Sequence, residues 1–448
     1  PVEANSYQNS YNLFFSMRGS GYKYLEKLTD FGIKLGLDKM RFILSSLDNP
    51  HKNYRSILIA GTNGKGSVSC FIANCLKKGG YRVGMYTSPH LIRVEERIQI
   101  NGKQVPSGVF NEMCLELKKL CDKLPVEMQP TYFEALTAIA FEYFRREKID
   151  VCVCEVGMGG RFDATNALEP VMEIIMPVSY DHMEYLGNTI EEIASEKAGI
   201  IKNNSIVVSG RQLPESLKVI KRDCKQKSAK GYFYGKDFSA RLAFSDFPHE
   251  QRLNFTGISS IKNISIRLFG SHQIHNAAVA VQSLLLLRRF GFDVSESAII
   301  EGMKNAFWPA RFQPLMKNPM VIIDGGHNPD GINSLKRALK QYFPDTKFIF
   351  LVGILKDKKW EVMLRMLSKL GEKFIFTAPD NSRGIPPQYL AGKMIKLNPA
   401  ASVEVIEDVK QAFERLIEIK GNKPRVVCGS LYLAGDILRI CKAKKIKF

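Results

Sequence analysis

The stretch GTNGKGS, residues 61–67, gathers glycines around one lysine and a serine hydroxyl. Glycines let consecutive backbone N–H groups converge on an anion, and a lysine adds a mobile cation. The chemistry this suits is holding the terminal phosphates of a nucleotide. The spelling departs from the common phosphate loop, which is Gly, four residues, then Gly-Lys-Ser/Thr. Here Gly64 and Lys65 are followed by Gly66, the hydroxyl arrives one place late at Ser67, and Ile59 stands where the leading glycine belongs. The physics requires a strand, a tight turn and a helix N-terminus, and ILI (57–59), the glycines and SVSCF (67–71) supply these in order. Asn63, Gly64, Lys65, Gly66 and Ser67 are therefore expected to bind phosphate, with a hydroxyl from Ser67 or Ser69. The plain alternative is a strand-to-helix turn with a surface lysine.

Further polar residues fall at the ends of apolar runs. Ser88 ends one such run, Glu155 ends another ahead of GMGG, and Asp181-His182 follow a third. In open α/β sheets ligands sit beyond the carboxyl ends of the strands, so a hydroxyl, a carboxylate and an imidazole converge on the edge that carries the glycine loop. Ser88, Glu155 and His182 then form a ligand set for magnesium, although imidazole is an unusual donor to so hard a cation. Taken singly, each has an ordinary reading: a cap before Pro89, a surface carboxylate, a satisfied loop histidine. A second cluster, DGGHNPDG (324–331), holds Asp324 and His327, and Arg311 stands in WPARFQ (308–313). An arginine between two domains bridges phosphates on one to the other, coupling closure to chemistry; the alternative is a stiffening salt bridge.

These groups need a scaffold. SILIAGT (56–62), RVGMYTS (82–88), DVCVCEVG (150–157), MEIIMPVS (172–179) and SIVVSG (205–210) read as buried strands, with helical periods at 67–79, 131–147 and 273–290. This alternation predicts an α/β fold with a mostly parallel sheet of the phosphate-loop type. Residues 231–269 predict a small antiparallel excursion. After Trp308-Pro309 the runs MVIIDGG (320–326), TKFIFLVGI (346–354), KFIFTA (373–378), VEVIE (403–407) and PRVVCGS (424–430) predict a second, Rossmann-like α/β domain. The expected division is 1–307 and 308–448, with a cleft between.

The composition sets bounds. The 448 residues suit two or three domains. No apolar run reaches the roughly 20 residues a bilayer requires, and PVEANSYQNSYNLFF at the start has no secretory pattern and no initiator Met, so the chain is expected to be processed or to carry a remnant. Nine cysteines without paired metal spacing suit a reducing cytoplasm. The net charge of +19 suits either a solvated surface or attraction for polyanions. Lysines and arginines are spread out and gather only at the terminal KAKKIKF, which disfavours a nucleic-acid arm.

With these residues in view, the sequence resembles the Mur ligase superfamily and, within it, the dihydrofolate synthase/folylpolyglutamate synthase family. The resemblance rests on GTNGKGS (61–67), YTSPHL (86–91), RVEERIQING (93–102), PTYFEALTAIAF (130–141), EVGMGGRFDATN (155–166), DHMEYLG (181–187), EIASEKAGIIK (192–202), GSHQIHNAAVA (270–280), WPARFQ (308–313) and DGGHNPDG (324–331), in the family's order. The late hydroxyl of the loop is the family spelling. By resemblance Ser88, Glu155 and His182 bind magnesium, and Lys197 matches a lysine that is carbamylated in many relatives. Addition of CO₂ to a desolvated neutral amine turns a cation into a carboxylate that helps hold a second metal. Asn276, Arg311 and Asp324 match nucleotide contacts, with His327 nearby. Thr131, Tyr132, Phe133 and Glu134, with Phe162, Asp163 and Ala164, match segments lining a pterin site, where aromatic rings would stack on a flat heterocycle; packing of a helix start is the other reading of the first four. GGRFDATN, with Arg161, resembles bacterial bifunctional enzymes.

The resemblance implies an ATP-dependent ligase that joins L-glutamate to dihydropteroate and extends folates. Lys65, His182, Lys197 and Arg311 are expected to act on the reaction. Its implied cofactors are ATP, one or two magnesium ions and a monovalent cation, and its implied form is a cytoplasmic monomer with no nucleic-acid or membrane partner. Four readings stay open beside it. They are polyglutamylation alone, a kinase built on the same loop, a peptidoglycan-branch ligase for a UDP-sugar, and a nucleic-acid-binding module argued from charge. The third expects an additional N-terminal domain, and the stretch ahead of the loop is well under a typical domain.

Overall fold

The computed structural model describes residues 19–32 and 36–444. The opening stretch and the last four residues of the basic tail, on which two expectations above fall, lie outside them. Eight strands form the first sheet: β1 Arg55–Ala60, β2 Val83–Tyr86, β3 Ile98–Ile100, β4 Lys103–Gln104, β5 Val151–Glu155, β6 Met172–Ile175, β7 Ile206–Ser209 and β8 Lys230–Phe233. Their order is β4-β3-β2-β5-β1-β6-β7-β8. The six strands from β2 to β8 in that order run parallel, while β3 and β4 add an antiparallel edge.

The central strands are largely apolar because both faces are covered, although β5 and β6 each bury a glutamate, Glu155 and Glu173. Cys152 and Cys154 of β5 join one layer, while Val151 and Val153 join the other, as the two-residue period requires. Helices Ser107–Cys121 and Tyr132–Arg146 fill the first layer; Lys65–Lys78, Ser271–Leu287 and Glu296–Asn305 fill the second. The nine cysteines are therefore buried and free.

The antiparallel excursion is a separate three-stranded sheet, β9 Ser239–Asp246, β10 Glu250–Thr256 and β11 Ser260–Ile266. It begins later than expected. Residues 230–233 instead extend the main sheet as β8, parallel to β7, where Tyr232 and Phe233 are buried. The second large sheet comprises β12 Gln313–Met316, β13 Val321–Ile323, β14 Phe348–Val352, β15 Gly371–Phe376, β16 Ser402–Val405 and β17 Arg425–Cys428, in the order β12-β13-β17-β14-β15-β16. Five of these run parallel; β12, which was not expected, pairs antiparallel at the edge, where its Pro314 costs no interior ladder bond. Among the described residues no helix is long and apolar enough to cross a membrane.

Candidate functional site

The glycine loop leaves the end of β1 at the centre of the first sheet, beside the end of β5, where Ile59 is in register with Glu155. Gly64, at φ 90°, turns the chain into the helix that starts at Lys65. Such a φ favours glycine, and a β-carbon there would lie 2.8 Å from Asn276 Oδ1. One on Gly66 would lie 2.6 Å from the Trp308 indole nitrogen. The loop is thus pressed against helix Ser271–Leu287 and the chain leading to the second sheet. Ser67 is buried, and its hydroxyl accepts from Gln273 Nε2 at 3.3 Å; Asn276 donates to Gln273 Oε1 at 3.0 Å. Ser69 is not available to a ligand in this way: its hydroxyl donates to Lys65 O at 3.0 Å inside its own helix.

Two ammonium groups meet at one carbonyl. Lys65 Nζ donates to Gly61 O at 3.1 Å and to Thr62 O at 3.3 Å, and Lys197 Nζ donates to Gly61 O at 3.1 Å. Burial, with Lys65 adding repulsion, lowers the Lys197 ammonium to about 7. Glu155 lies 3.7 Å from Lys65 and accepts from Ser88 N–H at 3.4 Å. Burial pushes its carboxyl above the ordinary value, against the pull of Lys65. Among the described residues no group of three or more His, Cys, Asp or Glu is placed to hold a metal ion. The expected set nevertheless fits a hard cation: a buried carboxylate with only long partners and a serine hydroxyl border a polar cavity that phosphate would share. His182 stands exposed at the rim in a left-handed turn, φ 49°.

The second sheet closes this cavity. Asp324, past β13, accepts from Phe312 N–H at 2.9 Å and Gly326 N–H at 2.8 Å. Arg311 lies within the field of Asp324 and Glu155, one from each sheet. Its neighbours Ala310 and Phe312 have φ of 55° and 45°, a strained setting for residues with side chains. Asp181 receives Lys358 Nζ at 3.0 Å and Asn328 Nδ2 at 3.2 Å, with His327 at 3.9 Å. Burial alone would raise the Asp181 carboxyl; Lys358, His182 and His327 together hold it well below the carboxylate range. Asn63 of the loop donates to Asp330 at 2.9 Å. The loop is therefore hydrogen-bonded to helix Pro329–Tyr342, which follows β13.

The resulting cavity measures about 160 Å³ and is lined by the loop, Glu155, Lys197, Asn276, Arg311, Asp324 and His327. It adjoins a larger cavity of about 480 Å³, and Ser88, His182 and His327 border both. Thr131 to Glu134 and Phe162 to Ala164 line the larger one. Their roles divide. Thr131 and Glu134 cap the helix they begin, Glu134 N–H to Thr131 Oγ1 and Thr131 N–H to Glu134 Oε2 at 2.8 Å. Tyr132 lies under Arg97, 5.7 Å from its centroid, and Phe133 packs where a side chain on Gly157 would collide. Phe162 keeps 43% of its surface exposed, a ring free to receive a ligand. Asp163 accepts from Met158 N–H and Thr165 N–H and shapes the wall. Arg161 is not in the lining; its guanidinium turns to Glu196 and Ser195.

The sequence reading missed Gln273, Arg97 and Lys358. Gln273 sat within a quoted motif and Arg97 likewise, so both were in reach. Lys358, in KDKK, had no signal beyond charge.

Comparisons with known proteins agree with this geometry. Residues 59–284 match the family model of the Mur ligase middle domain, and 310–431 that of the Mur ligase, glutamate ligase domain. The dihydrofolate synthase/folylpolyglutamate synthase of Bacillus subtilis is 34% identical over 92% of this chain and 96% of its own. The crystal structure of folylpolyglutamate synthase from Thermotoga maritima superposes with a TM-score of 0.83 at 37% identity, covering 95% of this chain and 98% of that one. FolC of E. coli, solved in complex with DHPP and ADP, gives 0.85 at 27% identity over 95% and 98%. The chain belongs to the Mur ligase family, in its dihydrofolate synthase/folylpolyglutamate synthase branch. It is an ATP-dependent amide ligase.

Proposed function

We propose that the protein adds L-glutamate to dihydropteroate and then to folate glutamates, with the phosphates of ATP in the smaller cavity and the pterin in the larger. The observation that carries this reading is the junction of the two cavities at Ser88, His182 and His327. There an acid extending from the larger cavity meets the γ-phosphate. Both activities are assigned because relatives at 34% and 28% identity are named for both.

In the first step a carboxylate oxygen attacks the γ-phosphorus, the bond to the bridging oxygen breaks, and ADP leaves. In the second the glutamate amine attacks the acyl carbon, inorganic phosphate departs, and the amine loses a proton. Lys65 and the loop amides offset the repulsion between an entering carboxylate and the triphosphate. Arg311, facing groups from both sheets, couples their approach to the chemistry. Ser88, Glu155 and His182 would hold magnesium, which supplies charge neutralisation on the phosphate oxygens. Lys197 is read as a carbamate: its buried amine has one carbonyl partner, Gly61 O, and burial favours the neutral form that adds CO₂. The division at 307/308 leaves each large sheet in one part of the chain. A reducing cytoplasm fits nine buried free thiols, and a monomer is the matching expectation.

The test is ADP release measured with dihydropteroate and with tetrahydrofolate separately, each with and without glutamate. Glutamate-dependent release with both is expected; release with tetrahydrofolate alone would reduce the activity to polyglutamylation. Hydroxylamine should trap the acyl phosphate, and a covalent protein intermediate would contradict the scheme.

A further inference from the structure

We propose that Arg161, Asn166 and Lys202 are positioning residues that couple the wall of the larger cavity to Lys197; the proposal rests on the reading of Lys197 and of the pterin cavity given above. The segment 157–164 has two sides. One lines the larger cavity through Gly157, Met158, Phe162 and Ala164. The other lies flat on the last turn of helix Ile190–Ala198, the turn that carries Lys197. A β-carbon on Gly160 would lie 2.8 Å from Glu196 O and 2.9 Å from Lys197 O, so only glycine permits this approach.

Directed bonds fix the contact. Arg161 N–H donates to Glu196 O at 2.8 Å. Arg161 Nε donates to Glu196 Oε1 at 3.1 Å and Nη2 to Ser195 O at 3.1 Å. At the far end of the segment, Asn166 Nδ2 donates to Arg161 O at 2.9 Å and to Gly199 O at 3.4 Å, two residues beyond Lys197. Lys202 closes the circuit: its ammonium donates to Asn166 O at 3.0 Å and Oδ1 at 2.8 Å, and its backbone N–H donates to Glu173 Oε1 of β6 at 3.2 Å. Asn166 is thereby held in the one orientation that lets its amide bridge the wall to the Lys197 turn. Arg161, which does not line the larger cavity, acts from behind the wall. A pterin pressing on Phe162 displaces a segment that cannot move without the turn beneath it, and Lys197 Nζ, 3.1 Å from Gly61 O, moves relative to the phosphate loop.

The experiment is run in CO₂-free buffer, where Lys197 is a free amine and not a carbamate, and measures the rate at which acetic anhydride acylates it, read by peptide mass spectrometry, with and without dihydropteroate. Dihydropteroate binding is followed separately by fluorescence. In the wild-type protein the ligand should slow labelling roughly fivefold. In Arg161→Met and Asn166→Ala, dihydropteroate should still bind, but labelling should no longer respond to it; Arg161→Lys should recover part of the response. If Asn166→Ala does not fold, Arg161→Met decides, since the Arg161 side chain is 40% exposed. Wild-type labelling indifferent to dihydropteroate, or a full response persisting in Arg161→Met, overturns the proposal. Glutamate-dependent ADP release surviving in Lys197→Ala would instead remove the chemical role of Lys197 and leave the labelling response standing, so the two failures are distinguishable.

Discussion

The two adjoining cavities both draw on the two halves of the chain, but the smaller is organised around one local turn and the larger is not. The smaller takes its anion-binding surface from one contiguous turn, residues 61–67, set by a strand, a glycine at φ 90° and a helix start. The larger is assembled from Thr29, Gly32 and Gly36 and from segments near 88–97, 131–134, 157–164, 355–358 and 430–432, drawn from both halves of the chain. A backbone cradle is preset by local structure, so it tolerates movement elsewhere. An assembled pocket exists only when its contributors are brought together, and on the function proposed above it would carry the selectivity for the second substrate.

Removing the cradle's cation is expected to have the largest effect. Lys65→Ala should lower glutamate-dependent ADP release by a hundredfold to about a thousandfold with folding intact, measured by coupled assay and thermal melting. Turnover within a few-fold of wild type would sever the loop from the chemistry. Next comes the seam. Lys358→Met leaves Asp181 without its 3.0 Å partner across the sheets and should cost roughly tenfold to a hundredfold in turnover through misplacement, while nucleotide affinity, read by calorimetry, changes little. An equal loss of nucleotide affinity would show that the cradle is not preset after all. Within the pocket alone, Phe162→Ala should raise KM for dihydropteroate by about fivefold, the worth of one stacking contact, and leave KM for ATP unchanged.

The smallest effect concerns stability. Burial raises Glu173 to about 7, above its unfolded value near 4.3. The folded state therefore holds this proton more tightly than the unfolded chain. The stabilisation is complete below about pH 4 and is lost as pH rises through 7. Lys202 and the Cys224 thiol are the ionisable groups that face it. Glu173→Gln should flatten the Tm profile between about pH 4 and pH 7. An unchanged slope would locate the titration elsewhere.

The cradle was legible because its chemistry is local: strand, glycines and helix start adjoin in sequence, and Ser88 and Glu155 follow from the rule that ligands sit beyond strand ends. Most strands were legible for the same reason, being short apolar runs whose both faces are covered. The missed β12 carries a proline and pairs at an edge, so no apolar run marked it. Residues 230–233 looked like the start of a polar hairpin, and only burial of Tyr232 and Phe233 against the sheet assigns them to it. Lys358 was invisible because its meaning comes from Asp181, 177 positions away. Thr131 and Glu134 show a different confusion. A capping box and a ligand-binding motif have the same polar spelling, and here the two residues bond to each other.

The backbone on either side of Arg311 turns left-handed at Ala310 and Phe312, and the Phe312 ring is locked among Phe247 and Tyr342. That makes the passage between the sheets a rigid crank whose throw sets the guanidinium. Glycine at position 310 would relax this winding, giving a protein harder to melt and slower to turn over.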